Sequence, residues 1–184
     1  MRIVGGSLSG RVLRAPGGAA TRPTSEKVRE ALFNILGNRL GSVDGDRVLD
    51  LFAGSGGLGI EALSRGAGHV TFVDAARPAL IAIRGNLHEL GVEDRATVIA
   101  GDAIAVAARP PEAPWRIVFI DPPYRSDLAS RAALALPRAH LTADAVVVIE
   151  HDRRNAPPDA LGSLLRTDQR RYGDTLISFF GVPA

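Results

Sequence analysis

The stretch LDLFAGSGGLGIEAL, residues 49–63, decides the fold. An apolar run with an acid inside it, Leu49-Asp50-Leu51-Phe52, gives way to glycines and then to a helical run through Glu61, Ala62 and Leu63. Gly54, Gly56 and Gly59 satisfy G-x-G-x-x-G at a strand-to-helix turn. Glycines there let a ligand approach the backbone at the helix N-terminus. The next apolar strand, residues 69–73, runs into Asp74, in register to take ribose hydroxyls.

To this point a nicotinamide dinucleotide fits. Asp50 argues otherwise, because a pyrophosphate is repelled by a carboxylate beside it. A ligand with an ammonium and a sulfonium is attracted, and S-adenosyl-L-methionine is such a ligand. The plainer alternative is a buried acid bonded to loop amides. Gly101-Asp102-Ala103 follows a third strand and supplies another acid, where an adenine amino group could be read.

Outward from this core, short apolar strands at residues 48–52, 69–73, 96–100, 116–120 and 145–150 alternate with helices. Both faces of these strands are apolar, the mark of a parallel sheet covered on both sides. Residues 164–172 and 174–180 flank a Gly-Asp turn and predict a hairpin. The fold class is therefore α/β, Rossmann-like, with a mostly parallel seven-stranded sheet and an antiparallel C-terminal hairpin. A helix begins at Ser25, a good N-cap with Glu26 behind it, and ends at Gly37 or Gly41.

Residues 1–24 form a basic arm or hairpin ahead of a single domain at 25–184. Residues 1–39 hold seven Lys/Arg and two Glu, and the remainder fifteen Lys/Arg and eighteen Asp/Glu. A basic arm on a near-neutral body suggests a polyanionic partner; a solvated tail is the bland alternative. Arg2, Arg11 and Arg14 are the phosphate-contact candidates, and the arm is expected to serve RNA rather than stability. No apolar run approaches a membrane span and no signal-peptide core stands at the N-terminus. With no cysteine and four scattered histidines, neither disulfides nor a metal are expected, which suits a cytoplasmic location.

The fourth strand ends in Asp121-Pro122-Pro123-Tyr124. An exocyclic amine on a base is a poor nucleophile, because its lone pair is delocalised into the ring. Two acceptors that take both N–H hydrogens would turn that lone pair toward an electrophile. The Asp121 carboxylate and the Pro122 carbonyl can be those acceptors, proline holding the backbone stiffly. Tyr124 offers a face on which a base stacks. The alternative is a plain Pro-Pro turn.

Together these features resemble a class I S-adenosylmethionine-dependent methyltransferase of the amine-methylating kind, and within it the RsmD-type family. The likeness extends over RIVGGSLSGRVLRAP (2–16), TRPTSEKVREALFNIL (21–36), VLDLFAGSGGLGIEALSRGA (48–67), VDAA (73–76), GDA (101–103), FIDPPY (119–124), IEH (149–151) and YGDT (172–175). The resemblance implies methyl transfer from S-adenosyl-L-methionine to N2 of a guanine, guanine 966, in 16S ribosomal RNA during small-subunit assembly. It implies cofactor contacts at Asp50, Phe52, Gly54, Ser55, Gly56, Asp74, Ala75, Asp102 and Ala103, with Arg22 and Thr24 near the cofactor or entering base. It implies Asp121, Pro122 and Tyr124 as the acceptor site, and a ribosomal RNA or small-subunit partner. A monomer is the default. DNA adenine or cytosine enzymes share such motifs, but usually carry a target-recognition region for which there is no length here. Protein glutamine methylation usually goes with Asn-Pro-Pro-Tyr. A non-catalytic RNA-binding factor and a nicotinamide dehydrogenase remain the readings from other classes.

Overall fold

A computed structural model describes residues 1–17, 25–123 and 127–183. Arg22, Thr24 and Tyr124 lie outside the described residues. The strands are β1 (Arg47–Leu51), β2 (His69–Asp74), β3 (Ala96–Ala100), β4 (Trp115–Ile120), β5 (Leu141–Asp152), β6 (Ala160–Leu161), β7 (Leu164–Tyr172) and β8 (Thr175–Gly181). They form one sheet in the order β3-β2-β1-β4-β5-β8-β7-β6. The first five run parallel, and β8, β7 and β6 are antiparallel. The seven anticipated strands are all present. The eighth, β6, has two residues, too few to show any periodicity.

Among the described residues, five α-helices cover the sheet: α1 (Glu26–Leu40), α2 (Gly57–Ser64), α3 (Arg77–Leu90), α4 (Ala103–Ala107) and α5 (Leu128–Leu134). One core joins α1, α2 and α3 to one face, through Leu32, Phe33, Leu36, Ile60, Leu63 and Ile83 against Val48, Phe72, Phe119 and Val148. The other face carries α4 and α5 over Leu49, Leu51, Val118 and Val147. The alternation of period two within each strand divides the two cores. Helix α1 starts where Ser25 Oγ accepts Val28 N–H at 3.3 Å and stops at Gly41, whose φ of 75° few other residues tolerate.

The N-terminal residues are a hairpin, but not a loose one. Ile3 N–H donates to Arg11 O at 3.0 Å and Leu13 N–H to Met1 O at 2.8 Å, around a bridge between Arg2 and Val12. Ile3 and Leu13 are 2% and 3% exposed and belong to the α1–α3 core. Val4 and Gly5 donate their N–H groups to the Glu61 carboxylate, each at 2.8 Å. A Cβ at Gly6 would stand 1.9 Å from Ser64 O, so the turn fits only because residue 6 has none. The expected arm is thus packed into the domain, and described residues 1–17 are no separate unit. The reason lies in Ile3 and Leu13: two apolar residues on the inward side of a short hairpin leave too faint a period to read.

Candidate active site

The carboxyl ends of the parallel strands bring the candidate residues together. The strand order reverses direction between β1 and β4, and an open α/β sheet binds ligands at such a switch point. Asp74 ends β2 opposite Ala100 of β3. Leu51 pairs with Val73 and with Ile120, so one further step brings Phe52 level with Asp74 and Asp121. Ile120 pairs with Ile149, which brings Glu150 of β5 level with Asp121. Acids of β2, β4 and β5 thus occupy one row across the sheet, with Phe52 between the first two. Adjacent strands are ~4.8 Å apart, so the Asp74 and Asp121 backbones are about 10 Å apart.

The chain turns sharply at Phe52, whose φ is 61°, the one non-glycine residue with positive φ among those described. Such backbone costs of order 1 kcal/mol or more and concentrates at functional sites. Gly54 and Gly56 follow, with φ of 57° and 80°. A Cβ at Gly54 would meet nothing within 4 Å, so this residue faces open space. Gly59 differs: a Cβ there would lie 2.3 Å from the Phe72 ring, so its role is close packing of α2 on β2.

Asp74 holds the loop as well as edging the cleft. Its Oδ2 accepts Gly54 N–H at 2.9 Å and its Oδ1 accepts Ala76 N–H at 2.8 Å. Ala75, between them, is exposed. Asp50 lies beneath the loop, 2% exposed, and its Oδ2 accepts Gly59 N–H at 2.9 Å. Burial pushes its carboxyl up to about 8, the Gly59 bond opposes that, and Asp74 adds to it. Of the two roles weighed for Asp50, the bond to a loop amide is present in the structure. Asp102 is the N-cap of α4, its Oδ1 accepting Ala105 N–H at 2.7 Å, and Ala103 is buried behind it. Ser55 joins the loop to α3, its carbonyl accepting from Asn86 Nδ2 at 3.0 Å.

Asp121 N–H reaches Leu51 O at 3.5 Å, which holds the start of Asp-Pro-Pro against β1. Asp121 is half-buried and Pro122 buried. Arg2, Arg11 and Arg14 are exposed on the hairpin. Arg2 Nη1 donates to Gly10 O at 3.2 Å, Arg11 Nη2 to Glu89 O at 2.9 Å, and Arg14 pairs with Glu89. Arg11 and Arg14 thus lie against Glu89 of α3, whereas Arg2 N–H donates to Glu26 Oε1 of α1 at 2.8 Å.

Three residues of the site region carry no role in the sequence reading. Glu61, 0% exposed, accepts from Val4, Gly5, Arg29 and Arg65. Asn86 bridges hairpin and loop. Glu150 is 7% exposed beside Asp121. An acid or amide on an otherwise apolar helix or strand face was the available signal.

Comparison with known proteins bears on the family and the fold. The family model described as Conserved hypothetical protein 95 matches residues 1–181. The putative rRNA methyltransferase YlbH of Bacillus subtilis is 42% identical over 98% of this chain and 98% of its own. The ribosomal RNA small subunit methyltransferase D of Escherichia coli is 37% identical over 86% of this chain and 78% of its own. The solved structure of the putative methyltransferase yhhF from Escherichia coli superposes with a TM-score of 0.84 at 32% identity, covering 100% of this chain and 98% of that one. The fold is that of a Rossmann-like class I methyltransferase, and the chain belongs to the Conserved hypothetical protein 95 family, the RsmD-type rRNA methyltransferases.

Proposed function

We propose that this protein transfers a methyl group from S-adenosyl-L-methionine to the exocyclic N2 of a guanine in 16S ribosomal RNA, acting as a monomer on the small subunit or its precursor. The observation that carries this reading is the row Asp74, Phe52, Asp121, with Asp50 buried beneath it at the switch point. Among the described residues, the row offers carboxylates and open glycine backbone. That suits a ligand with hydroxyls and positive charge, and does not suit a pyrophosphate.

When bound, S-adenosyl-L-methionine supplies an electrophilic methyl on a cationic sulfur. The residues divide the remaining work. Asp74 accepts the ribose hydroxyls with the lone pairs not used by Gly54 and Ala76. Asp102 and Ala103 border the adenine, and Ser55 and Gly56 give backbone to the amino-acid part. Asp50 places negative charge below the ammonium. The Asp121 carboxylate and Pro122 carbonyl accept the two N2 hydrogens and so aim the nitrogen lone pair along the transfer line. Transfer would form the N–C bond as the methyl–sulfur bond breaks, leaving S-adenosylhomocysteine; nitrogen would gain positive charge, and Asp121 would take the proton it sheds. Tyr124 stacks on the flipped base, whose unstacking costs a few kcal/mol. Arg22 and Thr24 are the further candidates for contact with the cofactor or the entering base.

Glu150 supports guanine over the other amino bases. Guanine carries N1–H next to its amine, whereas adenine and cytosine carry a lone pair there. A carboxylate beside Asp121 attracts the first and repels the others. Hypothesised phosphate contacts at Arg2, Arg11 and Arg14 add affinity and little sequence information.

Two measurements test the proposal. Calorimetry should show binding of S-adenosylmethionine and none of NAD. Nucleoside mass spectrometry of 16S RNA from cells lacking the protein should show loss of one N2-methylguanosine, with guanine 966 as the position to interrogate. An intact N2-methylguanosine complement in those cells would remove the proposal.

A further inference from the structure

The N-terminal hairpin reaches the glycine loop at two points. Met1 lies against Gly57, where a Cβ would stand 2.8 Å from Met1 Cε. The second point is Asn86, in α3 and 1% exposed. Its Oδ1 accepts Arg14 N–H at 2.8 Å, and its Nδ2 donates to Arg14 O at 3.1 Å and to Ser55 O at 3.0 Å. The carboxamide thus pairs with one hairpin residue as a neighbouring strand would, and spends its other hydrogen on the cofactor loop. An apolar side chain here would leave Arg14 N–H and Ser55 O without this partner, and unpaired buried groups are costly.

Ser55 stands between two glycines in left-handed conformation, Gly54 and Gly56. Such backbone has wide freedom of its own, so an external partner is needed to set the direction of the Ser55 carbonyl. The other hairpin clamps do not do this. Glu61 binds Val4 and Gly5, and Ser64 Oγ accepts Leu8 N–H at 2.9 Å. Both hold the hairpin to α2.

We propose that Asn86 is a positioning residue that locks the hairpin and the cofactor loop together, so that cofactor binding and the hairpin's grip on substrate RNA strengthen one another. The proposal rests on the S-adenosylmethionine reading given above. Coupling of this kind is reciprocal: whatever factor RNA lends to cofactor affinity, cofactor lends to RNA affinity.

The test uses wild type, Asn86→Ala and Ser64→Ala, titrated with S-adenosylhomocysteine with and without unmethylated 16S RNA. Hydrogen exchange of the amides at residues 53–57 is followed in each. Asn86→Ala should bind S-adenosylhomocysteine about tenfold more weakly, the size of one or two hydrogen bonds. It should lose the enhancement by RNA and exchange the loop amides faster. Ser64→Ala should melt lower yet keep cofactor affinity within about twofold. A lower melting temperature in Asn86→Ala with wild-type affinity and wild-type loop exchange overturns the proposal, since Asn86 is then structural only. If Asn86→Ala does not fold, Asn86→Asp answers the same question. It keeps the size and the acceptor for Arg14 N–H, and loses the amide donors. Failure of wild type to bind S-adenosylhomocysteine removes the cofactor reading instead. Loop exchange then still decides the lock: unchanged protection in the Asn86 variant overturns it and faster exchange supports it.

Discussion

Leu13→Ala measures how far the N-terminal hairpin belongs to the folded domain. Leu13 is 3% exposed in the α1–α3 core, while its neighbour Val12 is 57% exposed on the opposite side of the same hairpin. Truncating a buried leucine to alanine removes its transfer free energy and leaves a cavity, together ~2–5 kcal/mol. Taking ~3 kcal/mol, a domain of this size should melt about 6–12 °C lower, at ~2–4 °C per kcal/mol. Val12→Ala, with nothing to vacate, should change stability by no more than ~0.5 kcal/mol. Thermal melts by circular dichroism and urea titrations at constant m-value measure both variants. The consequence for activity is direct, since the same hairpin holds Arg14 against Asn86 and Met1 against Gly57. Equal, small shifts for Leu13→Ala and Val12→Ala would refute the reasoning and restore the picture of a dispensable arm.

Other outcomes follow from the same geometry. Asp74→Ala should weaken S-adenosylhomocysteine by about tenfold or more in calorimetry, because it removes the ribose acceptor and the partner of Gly54 N–H together. Asp50 carries a proton in the folded, ligand-free protein up to about pH 8 that it gives up near 3.8 when unfolded. Its contribution to stability is therefore full below about pH 4 and lost as pH rises toward 8. Asp50→Asn should flatten that decline in melts across the range. Cofactor binding to the wild type near pH 7 should release protons, seen as a dependence of the calorimetric enthalpy on buffer ionisation. Glu150→Gln should lower the ratio of guanine to adenine methylation on short RNA substrates; an unchanged ratio removes Glu150 from base selection. Arg2→Ala and Arg11→Ala should each make the salt dependence of RNA binding shallower by about one unit of slope.

Much of the fold was legible because its signals are local. The glycine loop and Ser25 before Glu26 each mark a boundary with one or two residues, and the structure places caps there. Helices α4 and α5 fall where the strand–helix alternation called for helices, but their bounds were not legible, since AIAVA and LASRAAL are too short and alanine-rich to show a helical period. Strand β5 begins earlier than expected, at Leu141, which pairs with Trp115 ahead of a register shift; exposed Asp144 interrupts the apolar run in between. At the site, sequence spacing alone led to Asp50, Asp74 and Asp121 as strand-end acids. The packing of the hairpin was not legible because its partners lie far along the chain: Glu61 is 57 residues from Val4 and Asn86 is 72 from Arg14. Charge counts show four arginines before the first acid, but not that Ile3 and Leu13 turn inward.

The most direct measurement compares wild type with Asp121→Ala on unmethylated small ribosomal subunits, reading methyl transfer by nucleoside mass spectrometry and cofactor affinity by calorimetry on the same preparations. Asp121 sits level with Phe52 across from Asp74, so it should touch the acceptor amine and not the cofactor. Wild type should produce N2-methylguanosine, and Asp121→Ala should produce almost none while binding S-adenosylhomocysteine as wild type does. Wild-type rates of transfer by Asp121→Ala would contradict the account, and reduce Asp-Pro-Pro-Tyr to a turn at the end of a strand.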